Sequence, residues 1–393
     1  MVRTQCDILV VGAGIAGASI AAHLAGSRSV RVLEMETQPG FHSTGRSAAI
    51  FVDFYGNATI RALSRASWSF FSAPPVGFSE FGLIQQRSIL VVARKDQRTS
   101  LQALVDATGS ETRYERLSSC DAAAICPILD EDKFATAALT RSAADIDVHG
   151  LQGGYLRWLR ERGGEITTDA RVIELERRAD GWLVRTAQEE ILAGVIVNAA
   201  GAWAGQIGAL AGAGDIGLTP LRRSAALIEP PDGSPLAAWP AVIDVDEQFY
   251  MKPEAGLLMI SPADETPDLP GDVQPDELDI AIVVDRIQAI TRLQVSRIRH
   301  KWAGLRSFVA DRSPVVGFDP VAPNFFWLAA LGGYGIQTAP ALSKLAADIL
   351  LGADMRQALD RLGIEPDALK PERPTIGALS ASKQPPCERG ECP

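Results

Sequence analysis

The chain has 393 residues, 47% hydrophobic and 22% charged, and carries a net charge of −10 at neutral pH. That length holds two domains, or one large α/β domain with a second one inserted, and the composition is ordinary for a soluble globular protein. The acidic balance excludes a nucleic-acid partner, because nothing offers a basic stripe to phosphates, and no apolar run reaches the ~20 residues of a membrane span.

Residues 6–11 read as a short buried strand, 15–25 as a helix of small residues and 30–34 as a second strand, a βαβ opening. Between the first strand and the helix lies Gly12-Ala13-Gly14-Ile15-Ala16-Gly17, and Glu34 followed by Met35 ends the second strand. Gly12 permits the tight turn, Gly14 lets backbone approach a pyrophosphate, and Gly17 lets helix pack on sheet. The helix N-terminus faces the negative charge, and Glu34 can accept from both ribose hydroxyls. Arg3 and the apolar stretch behind it mimic a signal peptide, but cleavage would destroy this motif. A cytoplasmic protein without a signal is therefore expected.

The motif fits FAD and NAD equally; the next segment separates them. Residues 39–49 form a glycine- and hydroxyl-rich loop that holds His42, Ser43, Thr44, Arg46, Ser47 and Ala48. Such a loop can wrap a second phosphate and reach an isoalloxazine ring with backbone N–H groups. An NAD-dependent reading leaves it unused.

Further along, a helical stretch closes at 68–71 before Pro74 and Pro75. Residues 82–93 read as a strand and 151–162 as an amphipathic helix. Segments 165–168, 171–177 and 182–186 alternate like a β-meander around Asp180-Gly181. Residues 195–199 form a buried strand running into Ala200 and Gly201. Strands are expected at 225–228, 249–252 and 257–260, and a helix at 280–293. The acidic, Pro-rich stretch 261–279 reads as a solvated excursion. A strand at 325–330 leads through a glycine turn to a helix at 339–351. That helix carries about half a positive charge at its N-terminus, which suits the pyrimidine edge of a reduced flavin. The polar tail 371–393 is expected to be disordered. Five cysteines and four scattered histidines match no metal-ligand spacing, so no metal site is expected. Cys387 and Cys392 lie in the tail and are expected to be reduced thiols.

Five segments, in order, resemble the D-amino-acid oxidase superfamily of flavoproteins. They are Gly12 to Gly17 with Glu34, Phe41 to Ser47, Val197 to Trp203, Trp302 to Arg306, and Gly332 to Thr338. Within that superfamily the chain is most similar to bacterial FAD-dependent D-arginine dehydrogenases, from about Asp7 to Leu351. The resemblance implies an α/β fold: a glutathione-reductase-like Rossmann domain for FAD with an inserted α+β mixed-sheet substrate domain. The FAD domain would comprise 1–50, 145–218 and 300–370, and the substrate domain 51–144 and 219–299. It adds Val172, Ala200, Gly201, Trp203, Gly332, Gly333, Tyr334, Gly335, Ile336, Gln337 and Thr338 to the cofactor residues. FAD would be held non-covalently, since neither 302–309 nor 332–338 contains cysteine or histidine.

Arg306 is the expected carboxylate anchor, because a guanidinium offers a planar two-donor fork. The resemblance gives it that role, with Tyr250 assisting, Tyr55 on a lid that Gly56 can hinge, and Arg223 and Gly333 nearby. The activity implied is oxidative deamination of D-amino acids to 2-oxo acids and ammonia, by hydride transfer from Cα to flavin N5. Two positions depart from the family pattern: Ile50 replaces a histidine, and Ile89 replaces an acid that would pair with a substrate guanidinium. No acid lies between Phe81 and Lys95. A buried guanidinium without a partner loses several kcal/mol, so neutral, apolar side chains are expected, unless Asp53 points inward. The alternatives are oxidation of an N-methyl amino acid or a 2-hydroxy acid, or a flavin-binding subunit of an electron-transfer assembly. The electron acceptor (oxygen, a quinone or an electron-transfer protein) stays open.

Overall fold

A computed structural model describes residues 3–377. The apolar run of residues 8–11 makes Arg3–Val11 a central strand whose last four residues are buried on both faces, as parallel strands are. Val30–Leu33 and then Glu165–Thr167 pair parallel on one side of it; Glu190–Asn198 and Phe325–Ala329 do so on the other. Antiparallel Val315–Phe318 closes one edge. Helices Ile15–Leu24, Val148–Glu161 and Gly335–Leu350 cover one face, and a hairpin (Glu174–Arg178 with Gly181–Arg185) extends the sheet from Glu190–Asn198.

The second sheet is mixed. Its order is Thr266–Pro267, Thr219–Ile228, Leu257–Ser261, Tyr250–Glu254, Ala241–Asp244, Ile84–Ala93, Thr136–Ile146, Ile50–Phe51. Only Ala241–Asp244 with Ile84–Ala93 is parallel. Ile298–Phe308 pairs with Thr219–Ile228, and Glu115–Ser118 with Thr136–Ile146. Helices Ser119–Ile125 and Glu277–Ile290 pack on one face through Ala122, Ile280, Val283 and Ile287. The segment around Val52 and Phe54 and helix Arg98–Thr108 cover residues of the other. Among the described residues no helix is long and apolar enough to cross a membrane, and no group of three or more His, Cys, Asp or Glu could hold a metal.

Several expectations are corrected. Residues 165–167 join the parallel sheet beside Val30–Leu33 instead of a meander, because backbone pairing there is satisfied by Arg31, Val32 and Leu33. Ile298–Phe308 lies wholly in the second sheet, paired along Thr219–Ile228, whereas the resemblance places residues from 300 on in the first domain. The terminal helix starts at Gly335, not 339, since the N–H of Thr338 already bonds to the carbonyl of Tyr334. Residues 371–377 are ordered: Arg373 is buried and grips Asp311 with Nε at 2.6 Å and Nη2 at 2.9 Å. The rest of the expected tail, with Cys387 and Cys392, lies outside the described residues.

The acidic stretch 261–279 is not a free excursion. Arg222 stands among Asp268 at 3.3 Å, Asp279 at 3.2 Å, Asp276 at 3.8 Å and Asp264 at 3.9 Å. Arg46 holds Asp272 at 2.5 Å and also donates to the carbonyls of Val273 and Ala303. Two arginines thus fold the stretch back onto the molecule.

Candidate flavin and substrate site

One elongated cavity runs from the C-terminal ends of the parallel strands toward the second sheet. At one end lie Gly12, Gly14, Ile15, Ala16, Glu34, Met35 and Val172, with His42, Ser43, Thr44, Arg46 and Ser47 along its side. Ala200, Gly201 and Trp203 follow, and Gly332, Gly333, Gly335 and Ile336 complete the lining, with Gly335 close to Ile15. The location is the crevice beyond the carboxyl ends of a parallel sheet, where dinucleotides bind.

The local geometry fits FAD. Gly12 has φ +99°, and a Cβ there would stand 2.6 Å from the carbonyl oxygen of Ala199. Helix Ile15–Leu24 has Gly14 at its N-cap with no side-chain cap, so its first turn offers N–H groups to a phosphate. Thr44 Oγ1 accepts from the N–H of Ile15 at 3.0 Å, tying the hydroxyl-rich loop to that turn. Glu34 is buried; its two oxygens accept from the N–H of Ala13 at 2.8 Å and of Glu36 at 3.0 Å. A carboxylate oxygen has room for a second donor, so the ribose hydroxyls remain served. His42 bonds Glu36 through Nε2 at 2.8 Å, its ring 4.6 Å from that of Trp203, while its Nδ1 is buried with no partner among the described residues. An orphaned nitrogen facing the cavity matches a ligand that supplies its partner.

At the far end Arg306 extends over Gly333, where a Cβ would come within 3.1 Å of Nη1. Arg306 and Arg223 both line the cavity. They differ in pairing. Arg223 is buried and committed: Nε donates to the carbonyl of Asp264 at 2.8 Å, and Nη2 meets Glu265 at 3.1 Å. Glu265 is shared with Arg312, whose Nη1 and Nη2 reach it at 3.1 and 2.5 Å and whose guanidinium lies 3.9 Å over the Phe308 ring. Arg306 forms no such ion pair among the described residues. Tyr55 packs edge-on against Tyr334 at 5.1 Å. Burial pushes its hydroxyl pKa up, Glu247 adds to this, Arg223 and Arg306 oppose it, and Glu265 adds a smaller upward push. Tyr250 stands close enough to Arg223 to interact electrostatically.

Not every predicted residue reaches the cavity. Gly17 packs instead: a Cβ there would sit 1.8 Å from the carbonyl oxygen of Gly12. Ala13 is buried, its N–H on Glu34 and its carbonyl on Gln152. The Gln337 side chain bonds both backbone groups of Val52 and the hydroxyl of Ser64, and Thr338 caps the carbonyl of Tyr334. Ala48 and Tyr334 also stand outside the lining, as do Ile50, Tyr55, Ile89 and Tyr250. Ile89 is fully enclosed with Val52, Phe54 and Ala241, so it forms no exposed wall. Asp53 faces Ser142 and Thr112; burial raises its pKa and those hydroxyls oppose the rise. Glu247, Glu265, Arg312 and Ser307 were missed, because only the tertiary fold brings them to the site. Ser307 had one signal, its place directly after Arg306.

The family model described as FAD dependent oxidoreductase (DAO) matches residues 7–349. FAD-dependent oxidoreductase domain-containing protein 1 of Bos taurus is 26% identical over 235 residues, 54% of this chain and 48% of that protein. Mitochondrial dimethylglycine dehydrogenase of Mus musculus is 24% identical over 385 residues, 89% of this chain and 43% of that protein. The chain thus spans about half the length of these two relatives or less. The crystal structure of glycine oxidase from Geobacillus kaustophilus superposes with a TM-score of 0.78 at 20% identity, covering 88% of this chain and 95% of that one. With a nucleotide cradle, an orphaned histidine and a family model across most of its length, the chain belongs to the DAO family of FAD-dependent oxidoreductases.

Proposed function

We propose that this protein oxidises the amine-bearing carbon of a small amino acid, with the second sheet serving as the substrate domain. The observation that carries the reading is the contrast between two arginines in one cavity. Arg223 is paired with Glu265 and lies by Asp264, whereas Arg306 presents its guanidinium over Gly333 without a carboxylate partner among the described residues. A cation beside the flavin end of the cavity calls for an anionic group on the substrate, and a bidentate carboxylate suits it. FAD, when bound, supplies the two-electron acceptor for the hydride released from Cα. Arg306 fixes the carboxylate; Tyr55 stands near Arg306 and Arg223, and Tyr250 near Arg223, both outside the lining itself. The imino acid is then hydrolysed to a 2-oxo acid and, from a primary amine, ammonia.

The finer reading follows the resemblance to D-arginine dehydrogenases: D-amino acids with neutral, apolar side chains in a cytoplasmic enzyme. The apolar preference rests on that resemblance, in which Ile50 and Ile89 replace a histidine and an acid, together with an Asp53 that faces Ser142 and Thr112. N-methylated glycines are the second class, favoured by the mouse relative named for dimethylglycine. Arg306→Ala should keep its flavin and lose kcat/KM by about a hundredfold or more, the loss of a charge-assisted fork. Near-wild-type efficiency in that variant would move the carboxylate site elsewhere.

A further inference from the structure

Ser307 follows Arg306 on the Ile298–Phe308 strand and lines the cavity, yet its Oγ is buried with no hydrogen-bond partner among the described residues. Buried hydroxyls are nearly always paired, and one left alone costs about 1–3 kcal/mol. The carbonyl of Ser307 accepts from the N–H of Gly332 at 2.9 Å, so the residue is braced against the turn that opens the Gly335–Leu350 helix. The next carbonyl but one toward the N-terminus, that of Leu305, is held by the Ser43 hydroxyl at 2.5 Å. Glu34 marks the adenosine end of the cavity, so this braced strand belongs to the opposite, ring-bearing end.

We propose that the Ser307 hydroxyl is a direct ligand of the flavin ring, donating to an acceptor atom on it. A donor at that place strengthens as the ring gains electrons and negative charge, so it favours the reduced cofactor. The hydroxyl is thus a tuning group for the cofactor, separate from the substrate anchor at Arg306.

Ser307→Ala tests this without any substrate. FAD titrated into apoprotein should bind about five- to tenfold more weakly, the worth of one hydrogen bond. The flavin midpoint potential should fall. The apoprotein, freed of an orphaned hydroxyl, should melt no lower than wild-type apoprotein, so that FAD raises the variant's Tm by less than it raises the wild type's. An apoprotein destabilised with FAD affinity unchanged would place the partner inside the protein and overturn the proposal. Unchanged affinity and potential, with only substrate binding weakened, would overturn it in favour of a substrate contact.

Discussion

Gly14 and Gly17 share one motif, yet a side chain harms them by different routes. At Gly17 the new Cβ meets the Gly12 carbonyl oxygen at 1.8 Å, so Gly17→Ala should prevent helix and strand from closing and give unfolded or insoluble protein. At Gly14 the nearest atom is Thr44 Oγ1 at 3.2 Å, and the cavity lies beyond. Gly14→Val should therefore fold, with normal circular dichroism, but purify colourless. Asp53 offers a test by pH. Its folded pKa is raised by burial, so at neutral pH ionisation penalises the fold, and the penalty is lost as pH falls through the folded pKa toward the ordinary value of about 4. Asp53→Asn should raise Tm at neutral pH, with the gain vanishing in acid; a gain constant with pH would contradict this. The nucleotide motif was legible residue by residue because its function is local backbone geometry. Glu265 and Arg312 were not, since neither has a sequence neighbour that explains it.

The acidic stretch 261–279 is the element whose reading changed most. Its composition suggested a solvated loop, but Arg222 and Arg46 lie far away in sequence and neutralise it from beneath. Arg222→Leu should leave Asp264, Asp268 and Asp279 repelling one another. Limited proteolysis should then cut within 261–279 well before it does in wild type, while the parallel sheet stays intact. Equal protection of the two proteins would make Arg222 dispensable. Phe325–Ala329, with its large apolar side chains, was readable from the sequence, whereas only the second half of Glu190–Asn198 was. Thr136–Ile146 was not, because its alanines and threonines carry little pattern and its strand character comes from pairing on both sides. The register of Leu221 opposite Arg306 likewise required the fold.

At the scale of the molecule, a parallel sheet supplies the cofactor cradle and a mixed sheet carries Arg223 and Arg306 to the same cavity. The order of five short motifs made this division legible, whereas the assignment of Ile298–Phe308 to the second sheet was hidden by its nearness to the flavin-side segments. The proposed activity needs both sheets: FAD held by one, and a carboxylate oriented by the other. Anaerobic mixing of the holoprotein with D- and L-amino acids, N-methylglycines and 2-hydroxy acids, followed through the visible flavin spectrum, probes both at once. Bleaching by amino acids, fastest with neutral D-forms and abolished by Arg306→Ala while the protein stays yellow, is the expected result. Bleaching by 2-hydroxy acids alone, or equal bleaching of wild type and Arg306→Ala, would contradict it.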